Sequence, residues 1–317
     1  LWLIESGDRE KERKGRKHRE WRARKECLGE MVQMDGSHHD WFEGRGGKCV
    51  LMGYIDDATG KVFGKFYGYE GTIPAMDSFK GYIEIYGIPL SIYLDRHTTY
   101  KSTAKSTIED ELNGKKALSE FERAMKEMGV EVKHAYSPQA KGRIERLFNT
   151  MQDRLVKEMR LKGISTIDEA NKFLEGYLPV YNKKFEVKAK TDKDFHREVG
   201  REMKIEGILC IKTERTVRND FTISYNSKLY QILEKTNRRK VIVEEHIDGS
   251  MVVTNNDVAL RFKEITDKPE KIVERESILK FTEKKYTGHI PPKDHPWRKF
   301  SFNKNKKSNS YQTEKLL

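Results

Sequence analysis

The sequence predicts an α/β fold in which elements in the order βββαβαβ are followed by further helices and then by a small β-barrel. Three observations carry this prediction. Short apolar runs break at turn residues between positions 30 and 67, and apolar stripes recur at three- and four-residue spacing in later segments. A third region, 207–266, packs short strand-like segments between turn signals. The chain has 317 residues. That is enough for one domain of about 150 residues with its own core and a smaller one.

The chain opens on a basic leader, residues 1–28, whose stretch 9–25 carries ten Lys or Arg against three Glu. Such a run reads as a solvated, charged segment or as a phosphate-binding arm. MVQMDGS is a short apolar strand that contains Asp35, and CVLMGYIDDATGKVFGKFY reads as two strands around a turn at Asp57, Ala58, Thr59 and Gly60. Thr72 is placed to cap a helix in which Met76, Phe79, Tyr82, Ile83 and Tyr86 share a face, with Gly87 as its stop. LSIYLD is a fourth strand ending at Asp95. Leu118, Phe121, Met125 and Met128 line a helix stopped by Gly129, and VEVKHAY is a fifth strand.

Ile144, Leu147, Phe148, Met151, Leu155 and Met159 then form a helical stripe over 142–161, with Glu145 beside it near the first turn. Thr166 followed by Glu169 is a capping-box signature for one more helix. A charged connector, 186–206, leads to the β-rich region 207–266, where turn signals stand at 218–220, 225–227 and 248–250. The lysine-rich tail, 267–317, is expected to be largely disordered.

Composition narrows the partners. With 62 Lys and Arg against 50 Asp and Glu the net charge is +12, which favours a polyanion over an acidic metabolite. Cys27, Cys49 and Cys210 are far apart and form no CxxC pair, which argues against a zinc module or a disulfide framework and fits a reducing compartment, with the cytoplasm as the default. No segment approaches the roughly 18 apolar residues of a membrane span, and no signal-peptide core opens the chain.

Asp35, Asp95 and Glu145 are the candidate chemistry. Two carboxylates at apolar strands and one on a helix, with 59 and 49 residues between them, are what a protein needs to hold two divalent cations beside a phosphodiester. Mg²⁺ takes oxygen ligands and keeps several waters, so a few carboxylates suffice, and Mn²⁺ is a possible substitute. Singly, each Asp also reads as a turn or cap residue. His38 and His39 follow Asp35 without paired cysteines, which argues against a zinc role. Asp40, Asp56 and Asp57 read as turn residues.

The order of elements, with Asp35, Asp95 and Glu145 at these places, resembles the RNase H-like catalytic domain of DDE transposases and retroviral-type integrases. SPQAKGRIER is similar to the stretch those integrases carry around their third acid. NDFTISYNSKLYQI and PPKDHPWRKF resemble bacterial insertion-sequence transposases, especially the ISNCY type. The resemblance spans roughly residues 30–300. It implies a mixed five-stranded RNase H-like sheet over 29–185, with Asp35, Asp95 and Glu145 as catalytic metal ligands. It also implies an activity: cleavage at transposon ends, then attack of the freed 3′-hydroxyl on target DNA.

Double-stranded DNA, both transposon ends and target, is the implied partner, bound by a homo-oligomer in a bacterial cytoplasm at the nucleoid. His97 is a candidate phosphate contact or a loop hydrogen-bond former. Gln139, Lys141, Arg143 and Arg146 are candidate DNA-phosphate donors around Glu145. Lys228, Arg238, Arg239 and Lys240 would grip phosphates or form an ordinary basic surface.

Two departures stand out. The gap before Glu145 is longer than such integrases place there, and the excess fits the polar insertion 101–116, which leaves Glu109, Asp110 and Glu111 as rival third acids. No helix-turn-helix unit fits in residues 1–28, so recognition of transposon ends is expected to be impaired, and a chain that begins at Leu1 is expected to be truncated. Two other readings stay open: a different RNase H-like endonuclease and a catalytically inactive, DNA-binding transposase remnant.

Overall fold

The computed structural model describes residues 23–95, 99–100, 118–135, 142–200, 202–234, 239–256, 258–266 and 292–296. The chain divides into two units, Leu1–Thr266 and Asp267–Leu317, and the account below concerns the first.

Five strands form its central sheet: β1 (Val32–His39), β2 (Cys49–Asp56), β3 (Val62–Tyr67), β4 (Ser91–Leu94) and β5 (Glu131–His134). Their spatial order is β3-β2-β1-β4-β5. β1, β2 and β3 pair antiparallel, whereas β4 runs parallel to both β1 and β5. This is the mixed sheet of the RNase H-like fold.

Side-chain alternation divides the sheet between two cores. Val32, Met34, Val50, Met52, Tyr54, Ile92 and Leu94 pack on one face, with helices α1 (Thr72–Tyr86) and α2 (Glu120–Glu127). Trp41, Cys49, Leu51, Ile55, Val62 and Phe66 pack on the other, under α3 (Gly142–Leu161) and α4 (Ile167–Phe185). Burial on both faces explains why every residue of β2 is buried and why its sequence is apolar almost throughout.

The helix signals hold in most details. Ser119 and Glu122 form a capping box that starts α2, and Thr166 and Glu169 form the expected one at α4. Gly87 ends α1 at φ 92°, which glycine adopts readily. Two expectations need correction. Thr72 is the first helical residue rather than the cap, which is Gly71. A cap at Thr72 would need the N–H of Pro74, which proline lacks, or that of Ala75, which already donates to the Gly71 carbonyl at 3.0 Å. Leu118 lies outside α2 and is exposed, because the capping box starts the helix two residues later.

The edge strand β3 is closed by side chains of α4. Asn182 accepts from the Val62 N–H and donates to the Val62 carbonyl, both at 2.8 Å. Asn171 does the same to Phe66, at 2.7 and 3.1 Å. Two amides eleven residues apart, three helical turns, thus stand in for a sixth strand.

The stretch after α4 returns to the sheet rather than leaving it. His196 Nε2 lies 2.7 Å from the Tyr82 hydroxyl, and Arg197 bridges Ile88 and donates to the Met128 carbonyl at 2.8 Å. A short helix α5 (Ile205–Ile208) precedes seven strands: β6 (Cys210–Thr216), β7 (Thr222–Tyr225), β8 (Lys228–Ile232), β9 (Lys240–His246), β10 (Met251–Asn255), β11 (Val258–Leu260) and β12 (Phe262–Ile265). Their ladders make two sheets, β11-β10-β9-β6 and β12-β8-β7, where a small barrel of five or six short strands was expected. The two sheets share one core around Ile223, Tyr230, Val241, Val243 and Val253. The strand count exceeded expectation because β11 and β12 are three and four residues long, too short for an alternation pattern to register.

Candidate active site

Asp35 is the fourth residue of β1, and Asp95 directly follows β4. The parallel register pairs Val32 with Ile92 and Gln33 with Tyr93, an offset of 60 residues. Asp35 and Asp95 are separated by the same 60, so they stand level on neighbouring strands. Val32 and Met34 face the α1–α2 core, so alternation turns Gln33, Asp35 and Ser37 toward the opposite face, the one under α3.

Three contacts fix how α3 lies on that face. Arg143 Nη1 bonds Asp57 Oδ1 at 2.7 Å, and the same oxygen accepts from Gln33 Nε2 at 2.8 Å. Phe148 lies over Gly53, the cross-strand partner of Asp35, so close that a Cβ there would come within 2.6 Å of its ring. Gln152 Nε2 donates to Ser37 Oγ at 3.1 Å. The helix therefore runs along β1 in the strand's own direction.

Glu145 belongs to the helical stripe that also holds Gln152, seven residues later. That spacing is about 10 Å along a helix, and the two residues from Ser37 back to Asp35 span about 7 Å of strand. Glu145 thus lies near the level of Asp35 and Asp95 at the same end of the sheet. Its side chain is exposed, whereas Asp35 and Asp95 are half-buried.

The donor set consists of hard carboxylate oxygens, which suit Mg²⁺ or Mn²⁺. Among the described residues no three His, Cys, Asp or Glu side chains are grouped tightly enough to hold an ion. The acids therefore fit a divalent cation by the chemistry of their oxygens, while the described geometry does not gather the three into one ligand set.

Arg143, expected at DNA phosphates, forms a buried ion pair with Asp57. Asp57 also accepts from the Lys25 N–H at 2.9 Å, so this expected turn residue joins three segments at the base of the site. Arg146 is exposed on the first turn of α3. His97, Gln139, Lys141 and Arg238, with the rival acids Glu109, Asp110 and Glu111, lie outside the described residues.

Several residues around the site escaped the sequence reading. Glu70 approaches Gly36 so closely that a Cβ there would meet its Oε2 at 2.6 Å. It also accepts from Tyr100 at 3.2 Å and lies 2.9 Å from His38 Nε2. Tyr100 is buried behind Asp35, and burial, then the charges of Glu70 and Asp35, push its hydroxyl well above the usual tyrosine range. His134 touches the Asp95 carbonyl. Nothing in the strings GYEGT or VEVKHAY marks these contacts, since each joins segments dozens of residues apart.

No protein-family model matches the chain. Two curated proteins do. "Putative transposase y4bF" of Sinorhizobium fredii is 32% identical over 278 residues, covering 86% of this chain and 60% of that protein. "Transposase for insertion sequence IS1202" of Streptococcus pneumoniae is 32% identical over 301 residues, covering 90% of this chain and 62% of that protein.

The chain is thus similar to two transposases over most of its own length. It spans about three-fifths of the length of the two transposases it matches. Among solved structures, the chain is similar to a simian T-cell lymphotropic virus intasome in complex with a PP2A regulatory subunit, at 14% identity and TM-score 0.40, covering 78% of this chain and 82% of that one. It is also similar to the HTLV-2 integrase catalytic core domain in complex with magnesium, dimeric form, at 18% identity and TM-score 0.39, covering 54% of this chain and 98% of that one.

Proposed function

We propose that this chain is a DNA transposase of DDE type, which cleaves DNA at the ends of its element and joins the freed 3′-hydroxyl to target DNA. The observation that carries the reading is the register of β1 and β4, which sets Asp35 level with Asp95 beneath the helix that bears Glu145. In this reading the three carboxylates are the catalytic residues and the metal ligands. Two Mg²⁺ ions, or Mn²⁺ in their place, would supply the positive charge that activates the attacking oxygen and stabilises the leaving one.

The protein's own part is placement. Asp35 and Asp95 ride on the sheet, which holds their oxygens at a fixed spacing, and Glu145 approaches from α3. The Arg143–Asp57 ion pair anchors the first turn of α3 to the sheet and so sets where Glu145 stands. Arg146, exposed on the same turn, is a DNA-phosphate donor; His97, Gln139 and Lys141 are further proposed donors. No covalent protein intermediate is needed, since water and then the DNA hydroxyl are the nucleophiles.

The same reading assigns residues 29–185 to the catalytic core, 186–206 to a connector and 207–266 to a β module that grips DNA through basic residues such as Lys228 and Arg239. It also makes the working form a homo-oligomer, because two element ends must be joined together, acting on DNA at the nucleoid in a bacterial cytoplasm. No helix among the described residues is long and apolar enough to cross a membrane.

The test incubates the purified chain with labelled DNA carrying the element's own ends and Mg²⁺ or Mn²⁺, beside Asp35→Asn, Asp95→Asn and Glu145→Gln. Nicking and joining that each variant loses by at least about a thousandfold are expected, a loss of some 4 kcal/mol of transition-state stabilisation. DNA binding without cleavage by the parent chain would instead identify an inactive remnant, and cleavage without joining another endonuclease. Activity surviving Glu145→Gln would move the third acid to Glu109, Asp110 or Glu111.

A further inference from the structure

Asp95 is held from behind by a side chain of the neighbouring strand. His134 ends β5, level with Leu94 of β4. Leu94 faces the α1–α2 core, and so does its neighbour His134, whose ring reaches α2. The ring's Nδ1 lies 3.1 Å from the Asp95 carbonyl, and because a carbonyl only accepts, Nδ1–H is the donor. Its Nε2 lies 2.8 Å from Glu122 Oε1.

Glu122 is itself fixed. Its other oxygen accepts the Ser119 N–H at 2.8 Å, and the Ser119 hydroxyl accepts the Glu122 N–H at 3.2 Å, which closes the capping box of α2. Both side chains are largely buried, 18% and 12% exposed, so the chain Ser119–Glu122–His134–Asp95 is shielded from competing water. It ends on the peptide planes that flank Asp95 as the strand finishes: the Leu94 carbonyl, in the plane before Asp95, is taken by the Ala135 N–H at 2.8 Å, and the Asp95 carbonyl, in the plane after it, by His134.

We propose that His134, backed by Glu122, is a positioning residue for Asp95. It fixes the Asp95 peptide from the helix face of the sheet, so that the carboxylate on the opposite face keeps the orientation needed to ligate a divalent cation. The inference rests on the reading of Asp95 as a metal ligand. Hydrogen-bond partners behind a ligand typically change metal affinity by about 10- to 100-fold when removed.

The experiment measures Mn²⁺ binding to the full chain by calorimetry and by loss of the free-ion electron paramagnetic resonance signal, so no catalysis is needed. His134→Phe keeps the ring volume and removes both nitrogens. His134→Asn puts an amide N–H where Nδ1 was. Asp95→Asn is the control, and thermal unfolding is followed in each protein. The expected result is Mn²⁺ affinity lowered by about 10- to 100-fold in His134→Phe and restored toward the parent in His134→Asn.

Equal Mn²⁺ affinity in His134→Phe and the parent would overturn the positioning role. So would equal losses in both His134 variants in step with their thermal stability, which would mark a merely structural residue. A parent chain that binds no Mn²⁺, or binds it as well after Asp95→Asn, would instead strike down the reading of the acids on which the proposal stands.

Discussion

At the scale of single residues, charge on α3 is divided between a buried ion pair and the exposed surface. Arg143 and Arg146 are three apart on α3, yet one is committed to a buried ion pair and the other is exposed. The difference follows from the helix: the stripe that packs on the sheet carries Arg143 toward Gln33 and Asp57, whereas Arg146 falls beside it. Arg143→Met should therefore act on stability. It would take the Arg143 guanidinium from the fully buried Asp57 carboxylate, and the expected loss is about 3–5 kcal/mol, read as a lowered urea midpoint at unchanged slope. A loss below about 1 kcal/mol would mean that the pair is as weak as a surface one. The sequence could not make this division, because both arginines sit in the same basic string and the decisive partner, Asp57, is 86 residues away.

At the scale of elements, the docking of α3 on the sheet depends on a gap in β2. Gly53 has an extended, ordinary strand position, and its lack of a side chain is what lets Phe148 approach. Gly53→Ala should push Phe148 and the whole first half of α3 outward, at a loss of about 1–3 kcal/mol. Phe148→Leu should recover part of that loss in the double variant, since the two positions touch, and a double-mutant cycle with no coupling would show that α3 is seated by other contacts. This displacement would also move Glu145, so under the proposed transposase reading DNA cleavage should fall in Gly53→Ala even where the protein remains folded. The helices themselves were legible from apolar spacing and capping boxes, as Gly142–Leu161 and Thr166 with Glu169 demonstrate. How they lie on the sheet was not, because the pairing of a glycine with a ring is a fact of three dimensions.

At the scale of the whole molecule, the β-rich region is fastened to the central sheet through α2. The Arg123 guanidinium bonds Glu120, Glu127 and the carbonyls of Ile208 and Cys210, so β6 is tied to the element that also supports His134. Two thiols report on the integrity of these parts. Burial first, then the Asp40 charge, pushes Cys49 up to about 11 from a usual 9.0, and burial with Glu244 does the same to Cys210. A thiol whose folded value is raised stabilises the fold fully below pH 9 and loses that contribution as the pH climbs toward 11. Native protein at pH 8 should therefore resist iodoacetamide at both cysteines and take it up on unfolding, and stability should fall between pH 9 and 11. Rapid labelling of native protein at pH 8, located by peptide mass, would contradict this. Apolar periodicity, turn residues and caps determined the five strands and their helices from the chain alone, because local spacing is written in local sequence. Strand order, the level placement of Asp35 beside Asp95, the split of the β-rich region into two sheets and the hold of His134 on Asp95 arose only on folding. Each is a contact between segments far apart in the chain, and such contacts are selected by the packing of both faces of the sheet at once.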